Sequence, residues 1–566
     1  MKHPIPFLVG LLLVAVPASA QPLPEPAPID AGIRAEVGRY AMGTDLLHYE
    51  IELALSDIST EIVASAGLRI AATRDDVDQI TLDFTGLALD SLLVDGVASA
   101  DLALSGGRLR VSFPRPLSAG EIVEVEIHYS GTPDDGLILR ENVEGAPSAF
   151  VDNWPNRTRF WLPSVDHPSD KASVGFTVHA PTTWEVVANG RLVGQPYPTA
   201  DTEPGPPTSG PRRTWRYTSD VPHPTYTFVV GAAEMVVDLV GVSACGRAPS
   251  SSRADGCVET TTWLYPGSVE GGAPSFARAP EMLDFFAELV GPFPYEKLAH
   301  VQSATRFGGM ENSSAIFYSE AAIARGADIE GTVSHEIAHQ WFGDSVTQSD
   351  WGHLWLSEGF ATYFGALFFE YADGRERFRE ILRGERERYF SAPDSLRPMV
   401  DVEQTNLFEL LNRNSYQKGA LVLHMLRTEL GDETFFDGIR LWYDRFRDGN
   451  ALTADLEAVL EEVSGRRLDT FFEQWAHHPG HPVLATTTDT DPASGGLRVT
   501  IEQVQGDYAP RYALTVPLRL SFEGETRDVT MPVSGSRSSA VFDDVPPGAR
   551  VEIDPGDDLL IRKVGG

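Results

Sequence analysis

The sequence predicts a multidomain α+β protein, with an N-terminal all-β domain, a mixed α/β domain and a small C-terminal β-sandwich. The chain has 566 residues, which is more than one hydrophobic core usually serves. Period-two alternation of apolar residues dominates its first part, helical spacing dominates its middle, and alternation returns from Arg498. These observations predict the number and the order of the domains.

The first residues have the pattern of a cleavable export signal. A positively charged start precedes the apolar run Phe7–Val16, and an Ala-Ser-Ala sequence then precedes Gln21. The run is too short to span a membrane, and no later stretch has about 18 uninterrupted apolar residues. We therefore expect residues 1–20 to be a signal peptide and residues 21–39 a Pro-rich leader. The mature protein should be periplasmic or extracellular, without a stable membrane anchor.

Strand patterns separated by short turns fill residues 40–240, and no marked helical pattern occurs before about Ala277. This region is the predicted N-terminal β domain. It contains an aromatic and polar segment, Asp152–Ala172, for which two interpretations are open. The segment either packs at a domain interface or reaches into a functional site.

Helical spacing marks residues 241–484, the predicted mixed domain. It occurs at Phe276–Leu289 and Ile329–Phe342, and a long helical pattern runs from Leu354 to Phe390. Residues 485–566 then contain five or six short strand patterns with Gly and Pro turns, which predict the C-terminal β-sandwich.

The charge balance is strongly acidic, because 81 Asp and Glu residues oppose 45 Lys and Arg residues. The formal net charge is −36, and the acidic residues are spread along the chain. Such a surface favours solubility and repels nucleic acid and anionic membranes. We therefore expect no nucleic-acid partner, and we expect a monomer.

The two cysteines, Cys245 and Cys257, lie in one Ser/Gly/Arg-rich segment. In an oxidising compartment they could close a small loop as a disulfide. A pair of zinc ligands is the alternative, but no second cysteine pair or nearby histidine supports it. The predicted export favours the disulfide.

The motif HEIAH, His335–His339, carries the strongest chemical signal. Residues four apart lie on one face of a helix, so both histidines can bind one metal ion. Glu336 lies beside the metal but is free of it. Two neutral imidazoles that bind zinc, with a carboxylate that takes a proton from water, make a hydrolytic site. On the motif alone, two histidines capping a core helix remain the alternative.

Glu358 strengthens the prediction of a metal site. It lies in a second helical pattern that starts at Leu354, after a predicted turn. A catalytic zinc ion keeps three protein ligands and leaves the fourth position for water or substrate. We therefore predict His335, His339 and Glu358 as the ligands of one zinc ion.

The spacing of these residues resembles the gluzincin aminopeptidases, the family of aminopeptidase N and leukotriene-A hydrolase. Two further motifs occur in the family's order: GGMEN, Gly308–Asn312, lies upstream and YQKGA, Tyr416–Ala420, lies downstream. The resemblance implies a thermolysin-like catalytic domain with one Zn²⁺ per chain. It also implies hydrolysis of the amino-terminal peptide bond of peptide substrates that have a free amino terminus.

The resemblance also implies roles for particular residues. Glu336 would serve as general base and then as general acid, and Tyr416 would stabilise the oxyanion. Glu311 would pair with the α-ammonium group of the substrate. The implied substrate-binding segment consists of Gly308, Gly309, Met310, Glu311 and Asn312.

This chain departs from the family at one predicted contact. In the family, a Gln or Glu from the β domain helps to hold the amino end of the substrate. Here Asp152, Asn153 and Trp154 occur at the corresponding place, so the sequence supplies no such residue.

Three other functions remain open on the sequence. A thermolysin-like endopeptidase has a similar zinc arrangement, although Glu311 argues against it. Epoxide hydrolysis on a lipid is known in one branch of the family, but no feature here requires a lipid tunnel. A catalytically inactive, zinc-stabilised binding protein is the third, and the presence of Glu336 and of all three predicted ligands argues against it.

Overall fold

The computed structural model describes residues 43–99, 102–391 and 396–564. The predicted signal peptide and the Pro-rich leader lie outside these residues. Three clusters of buried apolar side chains occur within them, and the predicted α+β fold class is confirmed. Among the described residues, no helix is both long enough and apolar enough to cross a bilayer.

The N-terminal part consists of β-sheets because its strands bury every second side chain. Ile62–Ala72, for example, alternates buried and partly exposed residues along most of its length. It pairs antiparallel with Thr44–Ala54, which pairs parallel with Lys171–Pro181 on its other side. The remaining strands are Val77–Asp83, Ala88–Val94, Val97–Ala98, Leu102–Ser105, Arg108–Leu117, Ile122–Gly131, Leu137–Glu141, Pro147–Val151, Glu185–Ala188, Arg191–Leu192, Tyr197–Pro198, Arg212–Pro224 and Val230–Ala233.

The middle part combines a five-stranded sheet with helices. The strand order in the sheet is Val236–Ser243, Val258–Leu264, Leu298–Ser303, Ala315–Ser319 and Gly309–Met310. The last of these is an edge strand, so the predicted substrate-binding segment lies at the border of the sheet. The α-helices are Val269–Gly272, Ala279–Leu289, Glu320–Ala324, Glu330–His339, Trp355–Asp373, Arg375–Phe390, Gly419–Leu430, Asp432–Phe446, Thr453–Ser464 and Asp469–Phe472. Val346–Gln348 and Gly449–Ala451 form a separate two-stranded sheet.

The predicted helical stretch Leu354–Phe390 is two helices and not one. The first ends at Asp373 and the second begins at Arg375, with Gly374 between them at φ +93°. That backbone conformation is open to glycine and strained for other residues, so the chain turns there. The hydrophobic pattern continues across the turn because both helices bury one face in the same core.

The C-terminal part has two sheets facing one buried apolar cluster, as a β-sandwich requires. It contains seven strands, where the sequence predicted five or six. The four-stranded sheet consists of Arg537–Phe542, Leu497–Gln503, Val483–Thr490 and Arg562–Val564, and the three-stranded sheet of Glu525–Val533, Leu514–Phe522 and Arg550–Ile553. The exact domain boundaries stay predictions.

The N-terminal and middle parts share one hydrophobic core. Phe150 packs edge-on against Phe317 of the middle sheet, with ring centroids 5.5 Å apart. Trp154 packs in the same way against Trp351, also at 5.5 Å. All four side chains belong to one continuous buried cluster. The interface between the two parts is therefore core rather than surface.

A half-buried lysine adds a polar link between these parts. Nζ of Lys171 donates hydrogen bonds to the backbone carbonyls of Asp344, Ser345 and Gly449, at 2.9, 2.8 and 3.0 Å. The first two carbonyls belong to the loop that follows the helix Glu330–His339. The N-terminal β part therefore fixes the backbone behind that helix.

The predicted disulfide is confirmed. Cys245 and Cys257 are bonded to each other. The bond closes the connection between the strands Val236–Ser243 and Val258–Leu264, at one edge of the middle sheet. It lies outside the cavity described below.

His300, on a central strand of the middle sheet, should make the fold sensitive to acid. Burial lowers its pKa from 6.5 to about 3, and Nδ1 lies 2.9 Å from the hydroxyl of Tyr318. Between these two pH values only the unfolded chain binds the proton, so this residue destabilises the fold as the pH falls below 6.5. In His300→Phe, we expect the slope of unfolding free energy against pH to decrease by up to about 1.4 kcal/mol per pH unit.

Urea denaturation at pH 6.5, 5.5 and 4.5 would measure this slope. His128→Phe is the control, because that side chain lies on the surface beside Glu126. Equal slopes for His300→Phe and the unmodified protein would contradict the assignment.

Candidate active site

Two helices bring the predicted metal ligands together. His335 and His339 lie on Glu330–His339, the first site helix, and Glu358 lies in the first turn of Trp355–Asp373, the second site helix. The two Nε2 atoms are 3.0 Å apart, and they lie 3.3 and 3.2 Å from Oε2 of Glu358. The three ligand atoms thus form a small triangle.

The triangle fits a tetrahedral divalent metal ion. Ligands held about 2.0–2.1 Å from zinc in a tetrahedron are separated by about 3.3 Å, close to the distances found here. Oε2 of Glu358 is buried and accepts no hydrogen bond from the described residues. Nδ1 of His339 lies 2.9 Å from the carbonyl of Phe342, and donation of its proton to that oxygen leaves Nε2 free as a ligand. The residues present can therefore hold zinc.

Glu336 lies beside this triangle, in a space that a glycine leaves open. A Cβ atom added at Gly309 would overlap the Glu336 carboxylate. The edge strand therefore approaches the carboxylate more closely than any other residue would allow. Gly309 belongs to the substrate-binding segment that the resemblance implies, and its lack of a side chain also makes room for Glu336.

Buried carboxylates concentrate negative charge at the site. Oxygens of Glu311 and Glu336 and a nitrogen of His339 lie within 4.8 Å of one another. Burial and the nearby Glu358 carboxylate raise the pKa of Glu311 to about 7, and burial raises that of Glu336 well above its usual range. Burial alone would lower the pKa of His339, but the carboxylates of Glu358 and Glu311 raise it to about 10. Such a site favours cations.

Tyr416 stands on the other side of the triangle. Its ring stacks on that of His335 with centroids 6.1 Å apart, and burial and the Glu358 carboxylate raise the pKa of its hydroxyl. Tyr416 lies in a π-helical turn, Asn414–Lys418, and an α-helix follows from Gly419. Wide turns of this kind occur often at functional sites.

Two glycines let this turn approach the second site helix. A Cβ atom on either Gly359 or Gly419 would lie 2.8 Å from the Cα of the other. Gly359 follows the predicted ligand Glu358, and Gly419 lies in the same motif as Tyr416. Backbone contact between these helices therefore sets the position of Tyr416 relative to Glu358.

The predicted substrate-binding segment divides between the cavity and the protein interior. Gly308, Gly309, Met310 and Glu311 line the cavity. Asn312 is buried and does not line the cavity. Its backbone carbonyl instead accepts a hydrogen bond from the backbone N–H of Ala315, which closes the turn to the next strand.

Sequence reasoning missed Gln340, which follows His339 directly. Its side-chain amide donates to the carbonyl of Glu311 at 2.9 Å and to Oδ2 of Asp344 at 2.8 Å. Its side-chain oxygen accepts a hydrogen bond from the backbone N–H of Ser314 at 2.8 Å. Gln340 thus ties the end of the first site helix to the segment that carries Glu311. Its place next to the HEIAH motif was the only available signal.

The aromatic segment of the β domain also contributes to the site. Asp152 is fully buried and pairs with Arg157 and Arg306, at 2.7 and 3.1 Å. Asn153 donates to the backbone carbonyls of buried neighbours. Of these three residues, Trp154 lines the cavity. Both interpretations of this segment hold, because it forms an interface and borders the site.

A cavity of 580 Å³ contains the metal triangle, Glu336, Glu311 and Tyr416. Four apolar residues of its lining, here called the apolar end, are Trp154, Phe307, Met310 and Leu411, and the rings of Trp154 and Phe307 lie 6.0 Å apart. The charged residues of the lining, here called the charged end, are Asp328, Glu330, Arg377, Glu385 and Arg388. Ala366, Phe369 and Ile381 also line the cavity.

A mixed α/β domain that holds two histidines and a glutamate in a triangle, with a second buried glutamate beside it, is typical of zinc metallopeptidases. Comparison with known families agrees, because residues 275–475 match the Peptidase family M1 domain. The chain therefore carries a peptidase M1 domain, and the predicted family is confirmed.

Known relatives extend the similarity beyond that domain. The chain is 26% identical over 454 residues to tricorn protease-interacting factor F2 of Thermoplasma acidophilum. This match covers 76% of this chain and 52% of that protein. It is 25% identical to leukotriene A-4 hydrolase of Xenopus laevis, over 79% of this chain and 73% of that one. The chain thus spans about half the length of the first of these relatives.

A solved structure shows the same fold. The M1 zinc metallopeptidase from Deinococcus radiodurans has a TM-score of 0.66 and 25% sequence identity to this chain. The match covers 78% of this chain and 95% of that one.

Proposed function

We propose that this protein is an exported zinc aminopeptidase that removes amino-terminal residues from peptides. One observation carries the proposal: the metal triangle, the Glu336 carboxylate and the Glu311 carboxylate all border one cavity. The names of the relatives support it, since they include probable aminopeptidases of Sulfurisphaera tokodaii. A solved neighbour described as bound to a Tyr-Ser-Ala substrate supports peptides as substrates.

The reaction needs a base, an acid and a donor to the carbonyl oxygen. His335, His339 and Glu358 would hold a zinc ion, which would supply a Lewis acid and make water more acidic. Glu336 accepts a proton from the attacking water and returns it to the leaving amine. Tyr416 donates its hydroxyl proton in a hydrogen bond to the carbonyl oxygen as negative charge develops there. These roles need no covalent intermediate on the protein.

Glu311 distinguishes an aminopeptidase from an endopeptidase. Its carboxylate is buried, and oxygens of Glu311 and Glu336 lie within 4.8 Å of each other. The α-ammonium group of a substrate stabilises this carboxylate, whereas an internal peptide segment would leave it buried without a counter-charge. The thermolysin-like endopeptidase is therefore the weaker alternative.

Export is part of the proposal, and the disulfide supports it. Disulfides persist in oxidising compartments and are rare in the cytosol. The Cys245–Cys257 bond thus agrees with the signal peptide predicted for residues 1–20. Detection of mature protein beginning at Gln21 in the periplasm or medium would test this part.

Two paired substrates would test the function. A leucyl arylamide that releases a fluorescent amine should be hydrolysed, and the N-acetylated form of the same compound should not. A chelator should abolish hydrolysis. Added Zn²⁺ should restore the hydrolysis rate, and the restored protein should contain one zinc ion per chain. Hydrolysis of the acetylated substrate, or full activity without metal, would contradict the proposal.

Glu311→Gln should weaken the selection of free amino ends. Loss of a charge-assisted contact costs about 1.5–3 kcal/mol, so we expect KM for a free-amino substrate to rise about 10–100-fold. The measurement is steady-state kinetics with the free and the acetylated substrate. Glu387→Gln, an exposed change on the helix Arg375–Phe390, is the matched control. An unchanged KM would assign the ammonium group to another residue.

A further inference from the structure

We infer that the apolar end of the cavity holds the side chain of the substrate's first residue and selects large apolar residues, above all aromatic ones. The inference rests on the proposed aminopeptidase function. Trp154, Phe307 and Leu411 are the residues that determine this specificity.

Glu311 places the first residue at the apolar end. Glu311 follows Met310 directly and lies four residues after Phe307, and all three line the cavity. The ring of Phe307 in turn packs against that of Trp154. Glu311 and Trp154 therefore belong to the same side of the cavity.

Covalent geometry then restricts where the first side chain can go. The α-ammonium group and the scissile carbonyl are attached to one Cα atom. When the ammonium group faces Glu311 and the carbonyl group faces Glu336 and Tyr416, the side chain on that Cα must enter the space beside these three residues. Phe307 and Met310 border that space, because they flank Gly308 and Gly309 in the same segment as Glu311.

The wall of this space is aromatic and preformed. The ring of Phe307 lies 6.0 Å from that of Trp154, edge to face. Phe408, three residues before Leu411, lies 5.5 Å from Trp154 on another side. Phe307 and Leu411 are half-buried, so their free faces can cover a substrate side chain. Ring–ring contacts add to the free energy gained by burying apolar area, so an aromatic first residue gains more here than a small or polar one.

The charges behind the wall compensate one another. Asp152 pairs with Arg157 and Arg306, and Asp135 accepts from the same two guanidinium groups, at 2.9 and 2.7 Å. Two carboxylates thus balance two arginines within the described part of the chain. A lysine, arginine, aspartate or glutamate in the first position would lose its hydration there without gaining a partner.

The charged end of the cavity suits the residues after the scissile bond. Glu385 lies there between Arg388, which it pairs with, and Gln417, whose amide donates to it at 3.0 Å. Arg377 pairs with Glu380 at 3.3 Å. We therefore assign the selection of the first residue to the apolar end.

A panel of aminoacyl arylamides of Phe, Leu, Ala, Arg and Glu would test the unmodified enzyme. We expect kcat/KM for Phe and Leu to exceed that for Ala by at least about tenfold, with Arg and Glu lowest. Absence of all hydrolysis in zinc-loaded protein would overturn the proposed function. Hydrolysis in which Arg or Glu matches Phe would overturn only the present inference.

Leu411→Glu provides a test that loss of folding cannot imitate. A carboxylate at the apolar end should pair with a cationic first residue, so the ratio of kcat/KM for Arg over Phe should rise at least about tenfold. Leu411→Gln, of the same size and without charge, should not raise this ratio. Phe307→Ala should reduce the preference for Phe over Ala. An unchanged Arg-to-Phe ratio in Leu411→Glu would overturn the assignment.

Discussion

Glu336→Gln should reduce kcat/KM by about 10²–10⁴-fold while the protein keeps its metal, because general acid–base catalysis contributes that much. Gln has nearly the shape of Glu, so it fits the space that Gly309 leaves open. It cannot accept a proton from water at neutral pH. None of the three predicted metal ligands is changed, so zinc should remain bound.

The measurement combines steady-state kinetics with the zinc content of the purified variant. Glu376→Gln is the matched control, since this exposed glutamate lies outside the cavity in the first turn of the helix Arg375–Phe390. Turnover at the unmodified rate would remove Glu336 from the reaction. Loss of zinc together with activity would make Glu336 a part of the metal site instead.

Tyr416→Phe should lower kcat by about 10²–10³-fold with little change in KM, because an oxyanion donor acts mainly in the transition state. The ring still stacks on His335, so the π-helical turn has no reason to move. Only the hydroxyl that interacts with Glu358 is lost. Stopped-flow or steady-state kinetics over a wide substrate range would separate kcat from KM.

Tyr371→Phe serves as the control for this change. Its ring stacks on Phe285 at 5.0 Å, and its side chain is 66% exposed, so removal of the hydroxyl should leave both constants unchanged. A rise in KM at constant kcat for Tyr416→Phe would assign the tyrosine to substrate positioning.

Much of the site could be predicted because its chemistry is local in sequence. His335, Glu336 and His339 lie on one helical turn, and the position of Glu358 on the next helix follows from the need for a third ligand. The alternation of residues 40–240 likewise predicted sheets, because a half-buried strand needs that pattern. Glu311 and Tyr416 were predictable only through resemblance, since nothing in their local sequence indicates a metal.

Other parts of the site depend on contacts that one sequence cannot reveal. The overlap of Gly309 with Glu336 and the contact of Gly359 with Gly419 join segments far apart in the chain. The division of Leu354–Phe390 at Gly374 was hidden by an uninterrupted hydrophobic pattern. Trp154 reaches the cavity from a different domain, so its place in the cavity wall can be seen only when the packing of the two parts is known.

The shared core of the first two parts has a consequence for how the protein can be divided. Residues 275–475 form the unit recognised by family comparison, but Phe317 and Trp351 within it pack against Phe150 and Trp154 outside it. A fragment limited to that unit would expose this apolar face and would be prone to aggregate. Transfer of the proposed activity to another scaffold therefore requires the β domain as well.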